Sequence, residues 1–425
     1  MSYPSSPGLT ETFLHPMHAA LTQAHHQRIC PSLPDPEWLT CCVYRVLHQE
    51  PSGRAFLQRL SDRDDRIIPS STYFDANATA RRLRLIREVT ASVGDAWDER
   101  VRAAGLDPLA GHECLSDYEV FAGDGHYLEA ATHDQPIDGT RYAIGHFFGL
   151  NLRTHRLFPM TVGDRGDGRK REHDMRALKR MESDDLRRGA PKGRKVIWVW
   201  DRAGIDATQW QKWKQQNGIY FISRSKENMK LTKIGDLSFD TKDPVNRGVI
   251  DFTLVAVGGQ ALRCVRYRDP VRGDLFTFLT SLTTIPPGVI AALYKARWDI
   301  EKVFDETKSK LGEKKSWGSS NETRHIQAQA VALTHTLMHL LEQLMKLEHG
   351  VTSRCDERRR QQRLTAAKKK AHTSGGLSPM IQACWLRASQ RGLRFIRWLR
   401  SMIDRRASLE HALAKLRAAW SVPDY

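Results

Sequence analysis

Apolar positions along the chain change their period twice. From Pro36 to about Ala103 they recur at helical spacing. Leu83, Leu85, Ile86 and Val89 mark a helix over Asp75–Thr90, with Ser71, Thr72 and Asp75 as capping side chains and Gly94 at its end. Residues 1–30 mix Pro, Ser, His and Thr with little period, which predicts a loose start. Gly105–Gly111, containing Pro108, reads as a linker. Strand-like runs follow at Tyr118–Ala122, Arg141–Leu152 and Arg156–Val162, then a charged helical stretch over Glu172–Arg188. Lys195–Trp200 is a continuous apolar run that fits a strand covered on both faces. Asp206 to Gln209 has the form of a capping box opening a helix, and Ile219–Ser223 is a further buried strand.

Three antiparallel strands, then helix, strand, helix and strand, is the order of the ribonuclease H-like fold, an analogy that assigns no function by itself. Residues 224–282 interrupt the alternation with β-like runs at Gly248–Val257, Ala261–Tyr267 and Leu275–Leu282, separated by turns such as Gly258-Gly259. A helix starts near Pro286-Pro287 and runs to about Leu311, where Gly312 can end it. Residues 325–348 form a Leu-rich amphipathic helix. The expected architecture is an α/β, ribonuclease H-like core over 115–312 with a β-rich insertion at about 224–282. A helical N-terminal region (1–110) and a basic helical C-terminal region (313–425) flank it.

Charge adds a partner. Lys and Arg number 66 against 49 Asp and Glu, a formal net charge of +17. Val351–Tyr425 holds 17 Lys and Arg against five Asp and Glu, including Arg358–Arg360 and Lys368–Lys370. A concentrated basic end is the electrostatic footprint of a polyanion, most often nucleic acid, although a solvated tail has the same composition. No run reaches the ~18 apolar residues of a membrane span, and no signal-peptide core is visible, so a soluble intracellular protein is expected. Seven cysteines without a C-x-x-C pair argue against a disulfide scaffold or a zinc finger.

The chemistry concentrates in Tyr294–Lys308. On an ideal helix Tyr294, Arg297, Glu301 and Lys308 share a stripe about 60° wide, beside an apolar stripe of Leu293, Ile300, Val303, Phe304 and Leu311. An acid, two cations and a phenol in a row suit a carboxylate-bound metal flanked by phosphate contacts. A solvated face with an Arg297–Glu301 i,i+4 pair is the plainer alternative. Two upstream acids favour the first reading: Asp124 ends the first core strand and Asp201 ends the buried Lys195–Trp200 strand. Taken singly, Asp124-Gly125 also reads as a turn and Asp201 as a helix cap. Brought together with Glu301, they make an all-oxygen site for hard ions such as Mg²⁺ or Mn²⁺. His335, His339 and Glu342 form a second possible trio, but their Leu-rich helix favours ordinary packing. The Arg-studded segment from Trp385 to Arg400 suits dimerisation, phosphate contact or core packing.

Tyr-x2-Arg-x3-Glu-x6-Lys resembles the Y-R-E-K signature of bacterial insertion-sequence transposases of the DDE type, in the insertion-sequence-four group. The resemblance covers about residues 115–312. It implies a DNA transposase in which Asp124, Asp201 and Glu301 bind two Mg²⁺ ions (Mn²⁺ substituting). On the same resemblance Tyr294, Arg297 and Lys308, with Arg202 of the Asp-Arg-x-Gly motif, would contact DNA. It further implies cleavage at terminal inverted repeats of double-stranded DNA and strand transfer into target DNA by two-metal phosphoryl transfer. By the same resemblance the N-terminal region is expected to read the repeats, and a homodimer to form in a synaptic complex of a cytoplasmic, nucleoid-associated bacterial protein. No Gly-x4-Gly-Lys-[Ser/Thr] loop is present, in keeping with a reaction that uses no nucleotide cofactor. Two departures stand out: Ala203 where many relatives have Gly, and an insertion without Trp. A catalytically inactive DNA-binding protein and a ribonuclease H-like nuclease without strand transfer are the alternatives.

Overall fold

The computed structural model describes residues 8–421 except 49, 51, 65–66, 164–173, 271–272, 306, 308–310, 312–313, 352–361, 363–364 and 366–390. Five helices come first: α1 (Leu9–Thr22), α2 (Asp35–His48), α3 (Gly53–Asp64), α4 (Ser70–Ala76) and α5 (Ala80–Ala103). Within the stretch expected to be loose, Leu9–Thr22 is helical. Leu9, Phe13, Met17 and Leu21 fall four apart and are all buried, a stripe masked in sequence by intervening His and Thr. The expected Asp75–Thr90 helix is displaced. Thr79 is the N-cap, its hydroxyl accepting from the Arg82 amide at 3.4 Å, and the helix runs through Gly94 to Ala103. Gly94 sits mid-helix because the Arg156 guanidinium crosses it; a Cβ there would lie 2.2 Å from Arg156 Nε.

Strands β1 (Tyr118–Leu128), β2 (Ile144–Asn151), β3 (Leu157–Val162), β4 (Lys195–Trp200) and β5 (Ile219–Arg224) form one side of a nine-stranded sheet. β1 pairs in parallel with β4 and β4 with β5, while β2 and β3 add antiparallel. The expected Glu172–Arg188 helix is two short ones, α6 (Asp174–Lys179) and α7 (Ser183–Arg187), and α8 (Ala207–Asn217) follows. Asp206 caps α8 as expected, accepting from the Gln209 amide at 3.0 Å. The 224–282 stretch extends this same sheet. β6 (Thr232–Asp236), β7 (Val249–Val257), β8 (Gln260–Arg268) and β9 (Leu275–Thr280) join through β9 beside β5, giving the order β3-β2-β1-β4-β5-β9-β8-β7-β6. Gly258 and Gly259 both hold positive φ in the two-residue β7–β8 turn, where L side chains are strained.

Apolar side chains cover both faces of the sheet. α6, α7 and α8 lie over Trp198, Trp200 and Phe221 on one face. The other carries α9 (Pro287–Ala296), α10 (Trp298–Asp305) and α11 (Asn321–Leu347), with the N-terminal helices beyond. The helix expected from Pro286 to Leu311 is therefore two, broken at Arg297. α11 packs on α5 and α2, and α12 (Arg391–Asp404) packs on α1, α2 and α13 (Leu409–Ser421). α12 buries Phe395, Ile396, Trp398 and Leu399; the expected Arg358–Arg360 and Lys368–Lys370 runs and Trp385 lie outside the described residues. Cys30, Cys41, Cys42, Cys114 and Cys264 are free thiols.

Arg156 ties the β2–β3 turn to α5. It is buried, donates to Asp98 Oδ2 at 2.9 Å and Asp95 Oδ1 at 2.6 Å, and reaches the Ala91 carbonyl. Asp98 is itself buried, so Arg156→Ala strands a carboxylate and is expected to cost about 3–5 kcal/mol. Urea unfolding tests this; a loss below about 1 kcal/mol refutes the anchoring role.

Candidate active site at the end of the parallel ladder

Asp124 lies within β1 rather than at its end. The parallel ladder with β4 nevertheless stops one residue earlier, at Gly123 and Trp200, and beyond it β1 pairs with β2 alone. Asp201 is the first residue after β4, leading into a 3-10 turn over Arg202–Gly204. The two aspartates thus occupy adjacent positions where neighbouring parallel strands part. This is the carboxyl end of the strands, the usual location of sites in open α/β sheets.

The Trp200 indole fixes that junction. A Cβ at Gly123 would lie 1.8 Å from its ring and one at Gly204 2.1 Å, so the fully buried ring fills the space of two absent side chains, one beside each aspartate. Gly204, rather than residue 203, is the glycine this turn requires. The Ser223 hydroxyl at the end of β5 donates to the Asp201 carbonyl at 2.7 Å.

α9 and α10 cross this end of the sheet and meet at Arg297, whose backbone forms the C-cap of α9. The Arg297 side chain is 6% exposed and its guanidinium reaches two acids: Nη2 lies 2.7 Å from Glu301 Oε1 and Nη1 3.7 Å from Asp124 Oδ2. It also lies 5.6 Å from the Tyr294 ring centroid. Burial disfavours the charge on Arg297, but Tyr294, Glu301 and Asp124 more than offset it, holding the guanidinium above its ordinary pKa. Burial pushes the Tyr294 hydroxyl up; Arg297 opposes this and the nearby Asp201 charge adds to it. Asp124 also accepts from the Gly125 amide at 2.8 Å.

Asp124, Glu301, Arg297 and Tyr294 are therefore brought together, while Asp201 is near enough to Tyr294 only for its charge to act on the hydroxyl. The helix break does not separate Tyr294, Arg297 and Glu301 of the predicted stripe, because Arg297 sits at the break and reaches both neighbours. Arg202 is exposed on the turn after Asp201, and Lys308 lies outside the described residues. Among the described residues no group of three or more His, Cys, Asp or Glu is close enough to hold a metal ion. Asp124 and Glu301 nonetheless already share one cation, the guanidinium, and their oxygens suit a hard ion. The His335 and His339 ring nitrogens are 3.2 Å apart inside α11, and burial holds His335 well below its ordinary pKa, a packed pair outside this site.

Arg224 ends β5 over the Phe276 ring at 5.1 Å, and Phe276, Phe278 and Tyr294 continue as an aromatic row. Sequence reading missed Arg224 and Ser223. Their signal was available, as polar residues closing a buried strand in the same manner as Asp201.

Residues 141–337 match the family described as Transposase DDE domain. That stretch contains Asp201, Tyr294, Arg297, Glu301 and Lys308 and begins after Asp124. The chain is also similar to the protein named "Putative transposase y4zB" of Sinorhizobium fredii (strain NBRC 101917 / NGR234), 28% identical over 134 residues. That covers 30% of this chain and 38% of the relative, so the chain spans about two-fifths of the length of the curated protein it matches. Among the described residues no helix is long and apolar enough to cross a membrane.

Gly123→Ala and Gly204→Ala each force the Trp200 ring aside and are expected to cost about 1–3 kcal/mol by overpacking. The urea midpoint should fall with an unchanged slope; a wild-type midpoint in both variants refutes the wedge.

Proposed function

We propose that this chain is a DDE transposase with a ribonuclease H-like core, cutting double-stranded DNA at its element's terminal inverted repeats and joining the ends to target DNA. One observation carries the reading: Asp124 and Glu301, far apart in sequence, meet on one buried cation where Asp201 leaves the adjacent strand. The order β3-β2-β1-β4-β5, with β1, β4 and β5 parallel, supports the core assignment, and the match over 141–337 supports the family.

Asp124, Asp201 and Glu301 would hold the two Mg²⁺ ions, their carboxylate oxygens being the hard donors such ions take. When bound, the ions lower the pKa of the attacking hydroxyl and stabilise charge on the leaving oxygen. The chain's own groups bind and orient the DNA. Tyr294, Arg297 and Lys308 take phosphates at the element's end, with Arg202 contacting the backbone from the turn beside Asp201. Arg297 suits this role because its planar fork matches phosphate oxygens. Cleavage and joining are successive in-line displacements at one centre, first by water and then by a DNA 3′-hydroxyl, with no covalent enzyme intermediate. The N-terminal helices read the repeats, and two copies hold the paired ends in a nucleoid-associated complex.

Incubation of the protein with Mg²⁺ and a duplex carrying the flanking repeat should give nicked and joined products, and Asp124→Ala should give neither. Wild-type cleavage by Asp124→Ala refutes the assignment, and cleavage without joining identifies a hydrolytic nuclease. Arg297→Ala should weaken end binding and reduce the slope of log affinity against log salt by about 1. An unchanged slope counts against a phosphate contact.

A further inference from the structure

Arg297 occupies a position that its proposed DNA contact leaves unexplained. A side chain meant only for phosphate belongs at the surface, yet this one is 6% exposed and sits between two acids that are 20% and 37% exposed. Its Nε is buried and has no hydrogen-bond partner among the described residues, so the fork lacks one acceptor there. Arg297 stands at the break between α9 and α10. In this arrangement no three acids are gathered closely enough for a metal among the described residues.

We propose that Arg297 is an internal counter-ion latch: without DNA its guanidinium takes the place of a divalent cation between Asp124 and Glu301, and a DNA phosphate frees both acids by drawing it away. The idea rests on the reading of Asp124 and Glu301 as metal ligands. A guanidinium and a divalent ion repel each other at one pair of carboxylates. Phosphate supplies the acceptor that Nε lacks, so anion binding and cation binding favour one another. Linkage makes that coupling reciprocal. The consequence is a site that loads its ions chiefly when DNA is present, which limits cleavage away from cognate ends.

The test measures Mn²⁺ binding to the DNA-free full chain by the electron paramagnetic resonance of free Mn²⁺. Arg297→Ala should bind Mn²⁺ at least about fivefold tighter than wild type. Lys302→Ala removes a neighbouring charge held 2.8 Å from Asp299 without touching the latch, and should change the affinity less than about twofold. Sulfate, a phosphate-sized dianion that binds Mn²⁺ weakly, should tighten Mn²⁺ binding to wild type and not to Arg297→Ala. If Arg297→Ala does not fold, Arg297→Gln carries the same expectation. The latch is overturned if the Arg297 variants bind Mn²⁺ no tighter than wild type, or if Lys302→Ala tightens binding equally. Asp124→Ala separates the two ideas. Mn²⁺ binding that this variant leaves intact overturns the metal-ligand reading and the latch with it. Binding that it abolishes, with no gain in the Arg297 variants, overturns the latch alone.

Discussion

A buried guanidinium must be neutralised, and Arg297 is neutralised by acids from two different elements. Glu301 lies one turn further along the helix pair, and Asp124 lies on β1, between β2 and β4 in the sheet. Leaving such a charge unpaired in the interior costs several kcal/mol, so the contact fixes α9 and α10 over the end of β1. It also accounts for the helix break. The backbone departs from regular helix at Arg297, and the side chain there reaches down to the sheet while Trp298 next to it is 53% exposed.

The sheet meets this contact with an aromatic support of its own. Trp200 fills the space above two glycines, and Trp198, Phe121 and Phe158 continue the layer beneath β1, β2 and β4. Rigid rings at interior density hold strand ends in one register, because any shift of the backbone must displace a ring with nowhere to go. The acids are thus partly exposed while the strands that bear them are held by close packing. Joined to β5 through β9, the remaining strands bring Phe276 and Phe278 alongside Tyr294 and against Arg224 of β5, which extends the polar end of the sheet into a cationic and aromatic margin.

The helices outside the sheet form a shared layer. α5 and α11 lie against each other, and α12 reaches α1 and α2, where Arg59 pairs with both Glu50 and Asp404. Arg156 and Trp97 join this layer to the β2–β3 turn, Trp97 donating to the Thr154 carbonyl at 2.8 Å. Chain segments from both ends thus contribute to one apolar core, which explains why α1 is ordered despite its polar-looking sequence.

Periodicity alone located the strands of the core, the capped start of α8 and the long Leu-rich helix, because burial on one or both faces leaves a direct imprint on residue order. The spacing of Tyr294, Arg297 and Glu301 likewise pointed to one cluster, and i,i+4 neighbours stay close even across a helix break. Other features were decided only in three dimensions. Gly94 looked like a helix end because its partner, Arg156, is distant in sequence. The 224–282 strands read as a β-rich insertion, but their edge pairing with β5 leaves no local trace in the sequence. The meeting of Asp124 with Arg297, and the glycines that make room for Trp200, depend on strand order and ring packing. Local sequence records whether a residue is buried, whereas its partner across the fold is set by topology, and here the topology determines which charges share the site.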